Sequence, residues 1–352
     1  MASSRPRVLL LWHSLAGYMA AGIRALADRS DVTVVARPPD PDAPYDYSTL
    51  DLNGAELRVA EWPRPFSLVD ELIEQTRPDI VVSIDRTRGA LRALHRARRR
   101  YGTTTVMVAD YVWSGAWRQR LVQTLFMVER PYAFDASFVP GARSAEYVRR
   151  LGFSPKAVYT GLYTLDQTRF ASVAAGSADR FANPSFLFCG RLVPEKAPDI
   201  LADAYRIYRE SVDRPWPLQV VGHGPFDGGL TGMAGVRMSD FIQPEALAGM
   251  YADAGALILP SRFDCWGVVA LEACAAGLPV VISDGCGVAD ELATPANGFT
   301  VPVGDPESLA AALAALSEAS LEQRKEWGRR SSEMASTYSP EHWADTLLSI
   351  RP

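Results

Sequence analysis

PSRFDCWGVVALEACAAGLP, residues 260–279, is divided by its own punctuation into a loop and a helix set between two strands. Ala256 to Leu259 is an apolar run of strand length. Pro260, Ser261 and Gly267 interrupt it, a helix of about Val268 to Ala276 follows, and Gly277 and Pro279 end that helix before the apolar run Val280 to Ile282. The first N–H groups of such a helix have no intrahelical acceptor and face the loop, where an anion is favoured. Asp264 lies in the loop and Glu272 about one turn into the helix, so one carboxylate can grip a pyranose while the other grips a ribose.

A second strand, loop and helix lie upstream. Phe186-Leu-Phe-Cys-Gly190 reads as a buried strand running into Arg191-Leu-Val-Pro-Glu-Lys196, and an amphipathic helix follows from about Ala197 to Glu210. Arg191 offers a planar fork and Lys196 a compact point charge, two complementary ways to neutralise a diphosphate leaving group. With 33 Arg and only three Lys in the chain (Lys156, Lys196, Lys325), a lysine at this place stands out. Between the two motifs, Leu218-Gln-Val-Val-Gly-His-Gly-Pro225 is a strand ending in a turn whose Gly222 and Gly224 let a backbone approach a flat base. A short strand, Val236 to Ile242, and a helix, Pro244 to Ala254, come next. Farther on, Gly298 to Asp305 leads into a helix, Pro306 to Ala319.

Together these stretches resemble the donor half of retaining, two-domain GT-B glycosyltransferases of family 4, in which two glutamates stand seven residues apart. Here the first of the pair is Asp264. The resemblance implies an α/β protein of two Rossmann-like domains facing each other across a cleft, with a last helix that crosses back to the first domain. It implies a donor site in which Arg191 and Lys196 bind pyrophosphate, and in which Gly222, Gly224, Gly267, Val268, Val269 and Glu272 hold the rest of a nucleotide-sugar. Asp264, Arg191 and Lys196 form the catalytic set, and Gly285-Cys-Gly-Val-Ala-Asp-Glu291 closes the pocket. His223 stands where the family often has an acid. The implied reaction retains anomeric configuration, requires no metal and no cofactor, and uses a UDP- or GDP-linked sugar as donor.

The amino-terminal half carries less of the pattern. In the resembled family a glycine loop after the first strand approaches the donor. The counterpart here is Trp12-His-Ser-Leu-Ala-Gly-Tyr18, with Gly17 as the approaching residue and His13 as a candidate acceptor contact. Where the family often has a histidine after a later strand, this chain has Ala109 followed by Asp110, so no catalytic histidine is assigned. Asp110, Trp113, Trp117 and Arg118 are the candidate acceptor floor, because aromatic faces stack on sugar rings and a carboxylate accepts from hydroxyls.

Length and composition fit two soluble domains. A chain of 352 residues is long for one core, and 48% hydrophobic with 22% charged residues is the balance of a globular protein. Strand runs Val8 to Trp12, Val32 to Ala36, Ile80 to Ile84, Thr105 to Ala109, Ser137 to Val139 and Val158 to Thr160 alternate with helical stretches such as Ala20 to Ala27, Leu68 to Gln75 and Ala90 to Arg99. That alternation predicts a doubly wound parallel sheet. The small, polar stretch Ala171 to Pro184 reads as a linker, giving an acceptor-side domain over 1–172, a donor domain over 173–338 and a closing helix over 339–352. No apolar run approaches the roughly 20 residues needed to span a bilayer, and no signal peptide is evident. Cys189, Cys265, Cys274 and Cys286 have no metal-type spacing and read as reduced thiols, which places the protein in the cytoplasm. The Arg-rich usage fits a GC-rich bacterial genome.

Charge is divided unevenly. Residues 1–175 hold 23 Lys+Arg against 18 Asp+Glu, a net of +5, and residues 176–352 hold 13 against 23, a net of −10. The basic half, with Arg92, Arg96, Arg98, Arg99 and Arg100 in one run, is matched to an anionic acceptor or to the head groups of a membrane that presents a lipid-linked saccharide. The net charge of −5 and the lack of any nucleic-acid motif argue against nucleic acid as a partner. Two other readings stay open at this level: a GT-B epimerase or hydrolase acting on the donor alone, and a non-catalytic nucleotide-sugar scaffold.

Overall fold

The computed structural model describes residues 5–15, 17–39, 45–60, 66–176, 180–181 and 184–350. The chain divides into two units, Met1–Leu165 with Tyr338–Pro352, and Asp166–Thr337.

The first unit is a parallel sheet of β1 (Arg7–Leu11), β2 (Asp31–Ala36), β3 (Glu56–Val59), β4 (Ile80–Ser83), β5 (Thr104–Val108), β6 (Ala136–Val139) and β7 (Val158–Thr160). The order across the sheet is β3-β2-β1-β4-β5-β6-β7, with Val8 paired to Val32 on one side and to Ile80 on the other. Five helices connect the strands: α1 (Gly17–Ala27), α2 (Phe66–Thr76), α3 (Arg88–Tyr101), α4 (Trp117–Ala133) and α5 (Ala142–Arg150). A parallel sheet covered on both faces needs strands that are apolar throughout. Leu9, Leu11, Val81, Met107 and Val139 accordingly share one core with Leu91 and Leu94 of α3. Local signals set the ends of α3: the Thr87 hydroxyl accepts from Ala90 N–H, and Gly102 closes the helix with a left-handed backbone.

The second unit repeats the design. Its parallel strands are β8 (Phe186–Cys189), β9 (Leu218–Val221), β10 (Val236–Ser239), β11 (Ala256–Leu259), β12 (Val280–Ser283) and β13 (Gly298–Val301), in the order β10-β9-β8-β11-β12-β13. Its helices are α6 (Gln167–Gly176), α7 (Pro198–Ser211), α8 (Pro244–Asp253), α9 (Val268–Ala275), α10 (Ala289–Leu292), α11 (Pro306–Glu318) and α12 (Leu321–Ala335). Aromatic packing centres on Phe186, whose ring lies 5.0 Å from Trp216 and 5.3 Å from Tyr208. The Tyr205 hydroxyl donates to the Trp216 carbonyl, and Trp216 N–H donates to the Tyr208 hydroxyl. Buried polar groups there are thus paired.

The closing helix, α13 (Pro340–Ser349), belongs to the first unit. Trp343 is its anchor: the indole is buried, donates to the Leu162 carbonyl at 2.7 Å, and covers Gly22 of α1.

The stretch expected to be a linker is in part a helix. Gln167–Gly176 forms α6, which packs on α8 and α9, with Phe170 edge-on to Tyr251 at 5.9 Å. The units therefore divide at Leu165 and Asp166, earlier than residue 172. Residues 177–179 and 182–183 of that stretch lie outside the described residues.

In each sheet the chain reverses direction beside its first strand, between β1 and β4 and between β8 and β11. Ligands of doubly wound sheets bind outside the carboxyl ends of strands at such switch points.

Candidate functional site

At the second switch point, the residues after β8 meet those after β11. Pro194–Lys196 form a single 3-10 turn, and Ala197 leaves it in a left-handed conformation (φ 54°) to start α7. Three contacts tie this turn to the 260s loop. Phe263 N–H donates to the Glu195 carbonyl at 3.2 Å, and Arg262 donates to the Pro194 carbonyl at 2.9 Å while its guanidinium clamps both oxygens of Asp199. That clamp holds the Asp199 carboxyl below its ordinary range, the hydrogen bond from Arg262 being the largest cause.

The result is that Lys196 Nζ donates to Asp264 Oδ2, with both side chains largely buried. The backbone of Asp264 is pinned as well. It forms an isolated parallel bridge with Cys286, its N–H donating to the Gly285 carbonyl (3.2 Å) and its carbonyl accepting from Gly287 (3.0 Å). Its other oxygen, Oδ1, accepts from Trp266 N–H at 3.3 Å.

Gly267 caps α9 with a left-handed backbone (φ 104°), and no side chain caps the helix. The first-turn amides of Val268 and Val269 have no acceptor among the described residues, and both residues are half-buried. One turn along, Glu272 Oε2 accepts from the Tyr251 hydroxyl at 2.8 Å. Glu272 keeps some exposed area, yet enough protein surrounds it that burial pushes its carboxyl up to about 7, opposed by the Tyr251 hydrogen bond and by the Arg169 charge. Burial also pushes the Cys189 thiol up to about 12, with Glu272 adding to the shift, and Cys286 up to about 11, with Asp264 adding. These cysteines are protonated neighbours of the carboxylates and not nucleophiles.

Arg191 is exposed at the mouth of the same loop, and its guanidinium has no partner among the described residues. Gly222 and Gly224 sit where the β9 turn crosses the β8 loop: a Cβ at either would lie 2.0 Å from the Gly190 carbonyl oxygen or 2.2 Å from that of Leu192. Close backbone packing therefore accounts for both glycines within the protein itself. They edge a cavity of about 420 Å³ lined also by Leu192, His223, Met238 and Asp240. His223 is exposed, with Nδ1 3.4 Å from Asp240.

The first unit has its own cluster. His13 follows β1, Arg37 follows β2, Asp85 and Arg86 follow β4, and Asp110 follows β5, all at strand carboxyl ends. Burial lowers the His13 pKa, helped by Arg37 and Arg86 and opposed by Asp85 and Asp110, so the imidazole is neutral at pH 7. Asp110 accepts from the Tyr163 hydroxyl at 2.9 Å. Gly17 is the first residue of α1, and Ala16 before it lies outside the described residues.

The remaining candidates for an acceptor floor stand apart from this cluster. Trp113 packs on Tyr147 and beneath Arg150, and Trp117 and Arg118 stack on each other at the exposed start of α4. Among the described residues no hydrogen bond, ion pair or ring contact joins these three to His13 or Asp110. Sequence reasoning missed Tyr251, Arg169 and the Arg262–Asp199 clamp in the second unit, and Arg37, Asp85 and Arg86 in the first. The clamp alone had a local signal, since Arg262 and Asp199 each lie within three residues of a motif residue.

The family described as glycosyl transferases group 1 matches residues 181–334. A D-inositol 3-phosphate glycosyltransferase of Jonesia denitrificans is 31% identical over 179 residues, 47% of this chain and 42% of that protein. D-inositol 3-phosphate glycosyltransferase 2 of Catenulispora acidiphila is 33% identical over 196 residues, 50% of this chain and 46% of that one. The chain thus spans less than half the length of these two relatives. Among solved structures, Anabaena HepE in complex with UDP superposes with a TM-score of 0.73 at 16% identity, covering 98% of this chain and 100% of its own. Among the described residues, no helix is long and apolar enough to cross a membrane. Residues 181–334 are thus similar to the group 1 glycosyl transferases, and the two parallel sheets are those of the GT-B fold.

Proposed function

We propose that the protein transfers a sugar from a nucleotide-diphospho-sugar, UDP- or GDP-linked, to a hydroxyl of a sugar-containing or lipid-linked acceptor, in the cytoplasm, with retention and without a metal ion. The observation that carries this reading is the meeting of Lys196 with Asp264 beside the uncapped start of α9, with Glu272 one turn along. An incoming diphosphate finds the α9 amides, Arg191 and Lys196. It competes with Asp264 for Lys196, which turns the Asp264 carboxylate toward the hydroxyls of the sugar. Glu272, held by Tyr251, is left one oxygen for the ribose.

In the reaction the bond between the anomeric carbon and the diphosphate oxygen breaks, and the acceptor oxygen forms the new glycosidic bond on the same face. The departing phosphate takes the acceptor's proton. Arg191, Lys196 and the α9 amides stabilise the charge that develops on that phosphate, and fixed donors of this kind supply much of an enzyme's rate enhancement. The neutral imidazole of His13 and the Asp110 carboxylate, at the switch point of the first sheet, are assigned to the acceptor. The HepE structure holding UDP supports a sugar-nucleotide donor.

The test is product analysis with UDP- and GDP-sugars, with and without acceptors. Acceptor-dependent release of one nucleoside diphosphate and a product of unchanged anomeric configuration are expected. Free sugar released equally without acceptor, or an inverted product, would overturn the reading.

A further inference from the structure

α4 turns an apolar face to solvent. Trp117, Leu121, Leu125, Val128 and Tyr132 follow one another at intervals of four, four, three and four, which gathers them within about 80° of the helix circumference. Each is more than half exposed, whereas Phe126 and Ala133, on the opposite side, are buried. A surface helix normally points its apolar side inward. Here five large side chains point outward along about 22 Å of helix.

The surroundings of the stripe are basic. α3, packed beside α4, and α4 itself carry nine arginines against one glutamate, Glu129. Arg92, Arg99 and Arg120 are exposed and have no ion-pair partner among the described residues. Arg118 stacks on Trp117. A groove of about 280 Å³ beside Tyr132 is lined by Arg88, Arg92, His95 and Glu129, which pairs with Arg88, and a second of about 310 Å³ by His95, Arg98, Arg99 and Asp135, which pairs with Arg98.

We propose that α4 and the arginines of α3 dock the first unit on a bilayer surface rich in anionic head groups, with the stripe entering the acyl boundary and the phosphates seated along α3. The charge selects this occupant. Two copies meeting through this face would bring like charges together, whereas an anionic bilayer complements them. An outward apolar face flanked by arginine, with Trp and Tyr at its two ends, is the arrangement of a helix lying in an interface.

Co-sedimentation with phosphatidylglycerol–phosphatidylcholine vesicles, against phosphatidylcholine alone, tests the proposal without substrate, so its outcome is independent of the transfer reaction. The wild type should bind the anionic vesicles at least about tenfold more tightly. Arg92→Ala with Arg99→Ala should weaken binding roughly 25-fold, at about fivefold per arginine, and Leu125→Asp with Val128→Asp should abolish it while the unfolding midpoint stays unchanged. Equal binding to both vesicle types, or undiminished binding by the Leu125/Val128 variant, would overturn the proposal. So would a wild-type dimer in sedimentation velocity that the same variant dissociates with no loss of vesicle binding, which would assign the face to a second copy of the chain.

Discussion

Lys196 and Asp264 are 68 residues apart in sequence and joined in space by a hydrogen-bonded ion pair, with side chains 19% and 14% exposed. Each comes from the loop after a strand at the switch point, and the Arg262–Asp199 clamp holds the loops together. Under the proposed function, the pair occupies the lysine that a diphosphate would use. Hydrogen bonds to charged groups are worth roughly 1.5–3 kcal/mol, so the carboxylate is an effective competitor for the donor.

Asp264→Asn removes that competitor. Nucleoside diphosphate should then bind about tenfold more tightly, a change of about 1.4 kcal/mol, while transfer falls by at least about 10²-fold for want of the carboxylate on the sugar. Titration calorimetry with UDP and GDP reads the first effect and single-turnover kinetics the second. Weaker binding together with near-normal transfer would remove Asp264 from both roles.

Asp264→Glu addresses the missing methylene. The backbone of residue 264 is fixed on both sides by Gly285 and Gly287, so a side chain longer by about 1.5 Å overshoots Lys196 instead of being absorbed by the loop. A displacement of ~1 Å can lower a rate ~10²-fold, and a loss of that order is expected in kcat/KM. A variant more active than the wild type would mean that aspartate at this position is a weak substitute for glutamate.

How far this arrangement was legible depends on whether each signal was local. Pro260, Gly267, Gly277 and Pro279 mark chain reversals in the sequence itself, so β11, α9 and β12 could be placed within a residue or two. β3 escaped because Glu56-Leu-Arg-Val59 is a polar edge strand with two apolar residues. α6 escaped because its Ala- and Ser-rich turn has little periodicity, and its burial comes from Phe170 meeting Tyr251. Tyr251 and Arg169 reach Glu272 from separate helices, and nothing in either local sequence specifies a carboxylate partner. The outward stripe of α4 has ordinary helical spacing, and spacing alone does not say which face is covered.

Glu272 should make the stability of the second unit pH-dependent. Its folded-state carboxyl is raised from 4.5 to about 7 by burial, so between those values the folded state holds a proton that the unfolded state has lost. Stability attributable to this group is full below about pH 4.5, declines as pH rises toward 7, and stays low above it. Glu272→Gln should remove the decline, with the variant gaining on the order of 1–3 kcal/mol over the wild type between pH 5 and 8. Urea unfolding across that range reads the difference. A constant offset between the two proteins would place the Glu272 carboxyl in its ordinary range.

Trp343 tests whether the closing helix is integral to the first unit. Its indole fills the space left by Gly22, where even a methyl group would come within 3.1 Å of the ring, and it packs on Phe138 at 6.1 Å. Its N–H satisfies the Leu162 carbonyl. Trp343→Ala therefore leaves both a cavity and an unpaired buried acceptor, a loss of about 3–5 kcal/mol. Trp343→Phe restores most of the volume without the donor, so the difference between the variants isolates the hydrogen bond at about 1 kcal/mol. Because Trp343 contacts none of the proposed donor-site residues, the unfolding transition of the first unit should move to lower urea in both variants while UDP or GDP binding is unchanged. Loss of nucleotide binding in Trp343→Phe would show instead that the helix acts on the donor site.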